Sequence, residues 1–481
     1  MALVLILALV VALYYRTLNY NYVIDDNVKR NGYMYEVPLE GPPPGFWQTK
    51  PSKFYRLFMI GMHCVNVSII YLLWGWAPAL LFAVHPVSVW GTAWVTGNYY
   101  ATTAYFCLIA YYILTVFPNV FGAVAAMCLF TAALNSTVCA ITFPFVFLFN
   151  GNPWGLTLLF PLAMYLNGKR FRTGIKTRVD FNKDKPVDSK FTWRRLLLMT
   201  KVIARYIFAC LVPEKQGFFR LFGRRLHEQQ KRYDWAHAAN SEFWLSLGLC
   251  LSVLAFGLVY HPIGVMWFFT IIMLHSQWNL TGQFFAERYA YLANVGLCVV
   301  AGTAFTNFPI AVVVLATYYT YKTTMFIPAW RNQQEVWRHD VKSFPENSQV
   351  HNNMAQWYLN MPLNKQPVFR INELAMMLQK AELMEPDSWE IKMNMACFFV
   401  MTGDTKAGLE YTNKSIALLE PIVGGSGHHP LSRLKEQQGK LEEQLSKGAA
   451  QASPPIKEEQ NDGKTKEEDD RVLESSGAGI A

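Results

Sequence analysis

The chain has 481 residues, of which 52% are hydrophobic, 15% aromatic and only 16% charged, with a net charge of +9. A soluble domain carries about 25% charged residues, so a single soluble globule is excluded. The basic excess does not argue for DNA or RNA, because the clusters Lys169-Arg170-Arg172-Lys176-Arg178, Arg194-Arg195 and Arg220-Arg224-Arg225 flank apolar segments; anionic lipid headgroups or a lipid phosphate suit them better.

Residues 1–15 form the first apolar run, and no polar small-residue cleavage site follows it, so it reads as an uncleaved first span. Asn21-Tyr22-Val23-Ile24-Asp25-Asp26 comes next. Between Arg56 and Lys169 there is no Asp, Glu, Lys or Arg at all, which marks a membrane-embedded block. Counting apolar runs predicts eleven spans, at 1–15, 57–74, 77–94, 100–117, 119–134, 138–149, 153–167, 243–259, 262–276, 290–306 and 308–326. The stretch 196–213 carries Lys201 and Arg205 four residues apart and reads as a helix lying in the interface. The fold expected is mainly α: a polytopic helical bundle over 1–328 with long loops at 16–56 and 168–242, helical repeats over 329–447, and a disordered tail over 448–481 rich in Lys, Glu and Asp.

An odd span count puts the acid pair and the repeats on one face. The other face has only short uncharged connections around Trp76, Pro118-Asn119, Asn150–Pro153, His261-Pro262 and Asn307. The repeats are read from Pro386–Pro421, where Trp389, Ala396, Phe399, Gly408, Tyr411 and Ile416 have tetratricopeptide-like spacing. A preceding copy runs from Pro345 to Pro386, with an insertion at Asn364–Arg370, and 429–447 reads as a capping amphipathic helix. The eight cysteines show no CxxC and read as small buried hydrophobes.

Three constellations carry chemistry. Asp25 and Asp26 are either solvated loop acids or a pair in which one carboxylate takes a proton from an acceptor hydroxyl and the other positions it. A metal there would lack a second cluster of acids in the membrane block, and no cofactor is implied. Glu287-Arg288-Tyr289, ahead of an apolar run, is either a structural ion pair with a snorkelling Arg or a phosphate site built on the Arg fork. His85, in Phe82-Ala83-Val84-His85-Pro86, is either a helix-end cap or a catalyst. Arg56 and His63 border the second run, where helix-end anchoring and an interhelical hydrogen bond are the plain readings. The P-loop, HExxH, GxSxG and GxGxxG motifs are absent.

In order, NYNYVIDDNVKR, MIGMHCVNVSIIY, FAVHPVSVWGTAWVTGNYY and FAERYAYLANVGLCV resemble the successive motifs of the GT-C membrane glycosyltransferases. Among these, the transmembrane and tetratricopeptide-repeat O-mannosyltransferase family is the most similar. The resemblance covers most of 1–421. It implies an inverting transfer of one sugar from a polyprenyl-phosphate-linked donor to Ser or Thr of an acceptor protein. Catalysis would lie on the extracytoplasmic face, of the endoplasmic reticulum membrane in a eukaryote or of the inner or plasma membrane in a prokaryote. The positive-inside rule would place the basic face in the cytoplasm, but it weakens for a loop as long as 168–242. By the same resemblance Asp25 or Asp26 is the base, Arg288 a donor-phosphate ligand and His85 a site-lining residue, with Glu287, Tyr289 and Arg56 beside them. Asn135-Ser136 stand where family members carry Lys-Glu, and the repeat array is short. A non-catalytic scaffold with docking repeats, or a GT-C enzyme acting on a lipid or glycan, are the competing expectations.

Overall fold

A computed structural model describes residues 1–21, 23, 52–168, 193–217, 239–278, 285–360, 369–423 and 429–452. Among the described residues there are helices and no strand. Among these described residues five helical stretches are long and apolar enough to cross a membrane: Ala2–Asn19, Lys53–Trp74, Val95–Val116, Ser241–Tyr260 and Pro309–Trp330.

The apolar part contains α1 (Ala2–Tyr14), α2 (Ser52–Trp74), α3 (Trp76–Val84), α4 (Asn98–Val116), α5 (Val120–Ser136) and α6 (Leu159–Asn167). It continues with α7 (Trp193–Leu211), α8 (Ser241–Tyr260), α9 (Pro262–Met273), α10 (Ala290–Ala304) and α11 (Pro309–Phe326). The helix α2 is inside out relative to a water-soluble helix. Its buried face holds Arg56, His63 and Asn66 beside Met59, Val67 and Ile70, while Phe54, Leu57, Phe58, Val65 and Leu72 point outward. Spacings of 3, 4 and 7 residues put the first set on one side. Apolar side chains facing out and polar ones facing in suit a lipid surround rather than water. In α8 only 11% of the membrane-length window is buried although the helix is apolar, and the exposed Leu245, Leu251 and Val259 fit the same surround.

Three of the eleven predicted runs are not continuous helices. The run 77–94 contains α3, which stops where His85 turns extended (ψ 133) ahead of Pro86; 3-10 and short α turns follow. The run 138–149 is broken into 3-10 turns at Val138–Ala140 and Phe143–Val146, with Pro144 inside the second, and ends in Phe147–Asn150. The run 153–167 opens on a 3-10 stretch, Pro153–Leu158, before α6. At the first break Pro86 removes a backbone donor and holds His85 extended, while Pro144 lies within and Pro153 heads the 3-10 turns of the other two runs. With 9 residues, α3 reaches about 14 Å at ~1.5 Å per residue, roughly half of a ~30 Å hydrocarbon core.

The centre of the bundle is α10 packed on α3 and α9. Every residue of α10 from Ala290 to Val300 is buried. The crossing of α9 and α10 depends on two glycines: a Cβ on Gly296 would lie 2.2 Å from the Gly264 carbonyl oxygen. Backbones approach this closely only where side chains are missing. Between α2 and α3, Gly75 adopts φ 88, a left-handed turn that glycine enters without a steric cost. The predicted interfacial helix, α7, is docked on α8 and buries Leu198, Val202, Tyr206 and Ile207. Its Arg205 pairs with Glu242 at 2.6 Å, and Lys201 is buried.

After Trp330 come α12 (Gln333–Ser343), α13 (Ser348–Leu359), α14 (Phe369–Met384), α15 (Trp389–Thr402), α16 (Thr405–Val423) and α17 (His429–Ala452). Successive helices pack as pairs, α13 on α14 and α15 on α16, with α17 against α16. The two pairs start alike. Asn347 and Ser388, each two residues after Pro345 or Pro386, cap α13 and α15 by accepting from Gln349 N and Ile391 N. Buried side-chain pairs join the helices: Ser348 donates to Glu385 at 2.6 Å, and Asn394 to Asn352 at 2.8 Å. The Asn364–Arg370 insertion falls largely outside the described residues.

Candidate functional site

The site is built at the end of the bundle where the first span finishes and the C-terminal helices begin. There the Asn21 N–H donates to the Arg331 carbonyl at 3.0 Å. Arg56, wholly buried on the first turns of α2, donates to the same Asn21 from its carbonyl side, with Nη2 2.6 Å from Asn21 O, and to the carbonyl of Ala93 through Nη1. One guanidinium thus holds Asn21 against the 85–97 turn, and the Asn21 backbone is itself held to Arg331, just ahead of the C-terminal helices. The Arg56 guanidinium also sits over the Tyr20 ring at 5.7 Å. This is the anchoring reading of Arg56 given physical form.

Beside it, Glu287, Arg288 and Tyr289 form a single 3-10 turn that leads into α10, and both charged residues are buried, at 2% and 8% exposure. The Trp90 indole donates to Glu287 Oε2 at 3.3 Å. Arg288 lies over the rings of Tyr289 (5.1 Å) and Trp94 (6.0 Å). Trp94 stacks on Trp330 at 5.7 Å, and Trp90 meets Trp330 edge-on at 5.0 Å. His275, on the π turn that extends α9, stacks flat on Tyr289 at 4.2 Å and 7°. Arg56, Glu287 and Arg288 are therefore all inside the protein at one end. Burying an ion costs several kcal/mol even after relaxation, unless hydrogen bonds and opposite charges offset it. Cation–π contacts of the kind Arg288 makes contribute about 0.5–2 kcal/mol each.

The expected site residues fall into three groups. Arg56, Glu287, Arg288 and Tyr289 come together. His85 lies beyond them, with both ring nitrogens engaged: Nε2–H donates to Cys210 O at 2.7 Å and Nδ1 accepts from Val87 N at 3.1 Å. A carbonyl can only accept, so this imidazole is the neutral Nε2–H tautomer, and it ties α3 to the end of α7. Asp25 and Asp26 lie outside the described residues; Asn21 and Val23 are the described residues nearest them in sequence. Among the described residues no group of three or more His, Cys, Asp or Glu gathers at one point.

Two further sequence readings find their places. His63 makes the expected interhelical bond, accepting from Tyr291 Oη at 2.8 Å and donating to Ala83 O at 3.1 Å. Asn135 and Ser136 donate back to Thr131 O and Ala132 O, both at 2.9 Å, within their own helix. At the junction with the C-terminal helices, His339 Nε2 donates to Gln216 O at 2.7 Å. Burial holds the His339 pKa below the ordinary histidine value, and Lys342 pushes the same way, against the Gln216 bond.

Sequence reasoning missed Trp90, Trp94 and Trp330, which wall the site, and Tyr206 and His275, which support it. The signal for the first two was available: Trp90 and Trp94 are four apart in VWGTAW, the spacing that stacks side chains on one helical face. The others come from distant helices and carry no local pattern. No family model matches this chain, and no curated protein or solved structure matches it significantly.

Proposed function

We propose that this chain is a GT-C-type membrane glycosyltransferase. In this reading eleven traversals of the bilayer leave the acid pair, the Glu287-Arg288 turn and tetratricopeptide-like C-terminal repeats on one extracytoplasmic face. The donor is a polyprenyl phosphate carrying one sugar, and the acceptor is a hydroxyl of a protein held near the repeats. Asp25 or Asp26 takes the hydroxyl proton as the oxygen attacks the anomeric carbon and the phosphate leaves with the bonding pair, inverting that carbon. Arg288 stabilises the charge gathering on the departing phosphate. No cofactor is required.

The observation that carries the reading is the convergence of Arg56, Glu287 and Arg288, all buried, at the end of the apolar bundle where Arg56 meets Asn21. A donor phosphate at the edge of a low-dielectric region needs fixed cations. The acid pair, the motif order and the helical repeats agree with it. A partner-docking scaffold is the second reading. One observation favours it: Asn135 and Ser136, which replace a charged pair of the resembled family, are bonded into their own helix.

The test is sugar transfer by the purified full chain in lipid, from polyprenyl-phosphate sugars to Ser/Thr peptides, beside Asp25→Asn and Asp26→Asn. Turnover that falls about 10²-fold or more in either mutant, with folding intact, supports the enzyme. Binding of peptides with no transfer from any donor tried, and no change in either mutant, supports the scaffold.

A further inference from the structure

Tyr206 sits in the C-terminal third of α7, far in sequence from the Glu287-Arg288 turn. Its hydroxyl nevertheless meets both polar backbone groups of Ala286, the residue before that turn. It donates to Ala286 O at 3.3 Å and accepts from Ala286 N at 3.2 Å. The Tyr206 ring packs on Phe285, with centroids 4.4 Å apart. Both groups are buried.

This contact is needed because of what Ala286 is. It is the N-cap of the 3-10 turn Glu287–Tyr289, with an extended backbone (φ −148, ψ 115) and no side-chain cap. Alanine has no side-chain oxygen to cap with. Its carbonyl accepts the turn-closing bond from Tyr289 N at 3.0 Å, and the Tyr206 hydroxyl is a second partner on the same oxygen. A buried backbone N–H without a partner is costly, and the Tyr206 hydroxyl supplies one to Ala286. The strand of chain that aims Arg288 is therefore fixed from outside, by a helix whose own flank carries Arg195 and Arg205.

We infer that Tyr206 is a positioning residue for Arg288: its hydroxyl sets the backbone of the 285–287 segment, and through it the place of the guanidinium. As a role in donor-phosphate binding, this inference rests on the function proposed above. The α7 helix then becomes part of the donor site without touching the donor.

The experiment uses the full chain in nanodiscs and Tyr206→Phe, which removes one oxygen and keeps the ring. Two readouts are taken. One is amide hydrogen exchange over 285–290. The other is affinity for a polyprenyl monophosphate, in wild type, Tyr206→Phe, Arg288→Lys and the double mutant. Expected are faster exchange at Ala286, a loss of affinity of about three- to tenfold in Tyr206→Phe, and a smaller loss from Tyr206→Phe when Arg288 is already lysine. Unchanged exchange at Ala286 overturns the inference, as does a loss that adds in full to that of Arg288→Lys. If wild type binds no polyprenyl monophosphate, the proposed function falls, and exchange at Ala286 alone decides whether Tyr206 holds the segment.

Discussion

At one end of the bundle the helix breaks are covered by Asn119, Asn152 and His261; at the other, Arg56, Glu287 and Arg288 lie inside the protein. The first three do ordinary work. Asn119 accepts from Gly122 N at 3.0 Å, Asn152 accepts from Trp154 N at 3.0 Å while donating to Leu114 O at 2.8 Å, and His261 accepts from Gly264 N at 2.9 Å. Each neutral side chain satisfies backbone groups that a helix end leaves over. At the far end Arg56 also meets backbone carbonyls, but with a full charge where an amide would have sufficed. Glu287 accepts from the Trp90 indole, and Arg288 lies over aromatic faces and hydrogen-bonds the Tyr100 hydroxyl. The same need, closing a helical end in an apolar surround, is met cheaply on one side and expensively on the other. The expense marks the end where polar chemistry is expected.

The comparison can be broken by mutations divided between the two ends. Arg288→Ala is expected to have the largest effect, near-complete loss of donor binding and turnover with the fold retained. Arg288→Lys should lose less, because an ammonium is a point charge without the two-pronged contact. Donor titration of both, beside an Arg194→Ala/Arg195→Ala control, checks this. If the control loses binding and Arg288→Ala does not, the phosphate sits on the basic loop and the two ends differ for another reason. Next is Gly296→Ala, toward the neutral end, which should cost about 1–3 kcal/mol by forcing α9 and α10 apart. Its thermal unfolding should shift while turnover per folded molecule stays the same.

A smaller effect is expected from Asn119→Ala, about 1 kcal/mol for a lost cap, again with donor affinity unchanged. A change in affinity there would erase the contrast between the ends. The smallest concerns pH at the junction of α12 with the segment after α7. The folded-state pKa of His339 is depressed, chiefly by burial. The unfolded chain therefore binds the proton first as pH falls. This contribution to stability is complete above about pH 6.5, the unperturbed value, and is lost as pH drops below it toward the folded pKa. Unfolding midpoints followed from pH 7.5 downward should fall less steeply in His339→Gln. Identical slopes would mean that His339 binds its proton equally in the folded and unfolded chain, so that its pKa is not depressed by folding.

Much of the architecture was legible in the residues. The charge-free stretch from 57 to 168, the helical hairpins after Pro345 and the AERY turn all carry local signals, and all are helical in the structure. What failed was the assumption that an apolar run is one straight span. Hydrophobicity is summed over a window, but Pro86, Pro144 and Pro153 act at single bonds, so 77–94, 138–149 and 153–167 kept the composition of spans and lost their continuity. Arg288 stood out as an arginine at the head of an apolar run, where snorkelling to the surface was an equally open reading, and the structure buries it. Tyr206 did not stand out. Its partner is eighty residues away, and nothing in ARYIFAC distinguishes a tyrosine that holds a backbone from one that only fills space. The acid pair remains a reading of sequence, since Asp25 and Asp26 lie outside the described residues.

The hydrogen bond from Asn21 N to Arg331 O joins segments made at very different times. The entire apolar block is synthesised between them, which at about 5–20 residues per second takes on the order of tens of seconds. Until Arg331 emerges, the start of the acidic loop lacks one of its fastenings, and closing so long a loop is a late step in folding. That end of the bundle is thus fastened only after the whole apolar block has been made.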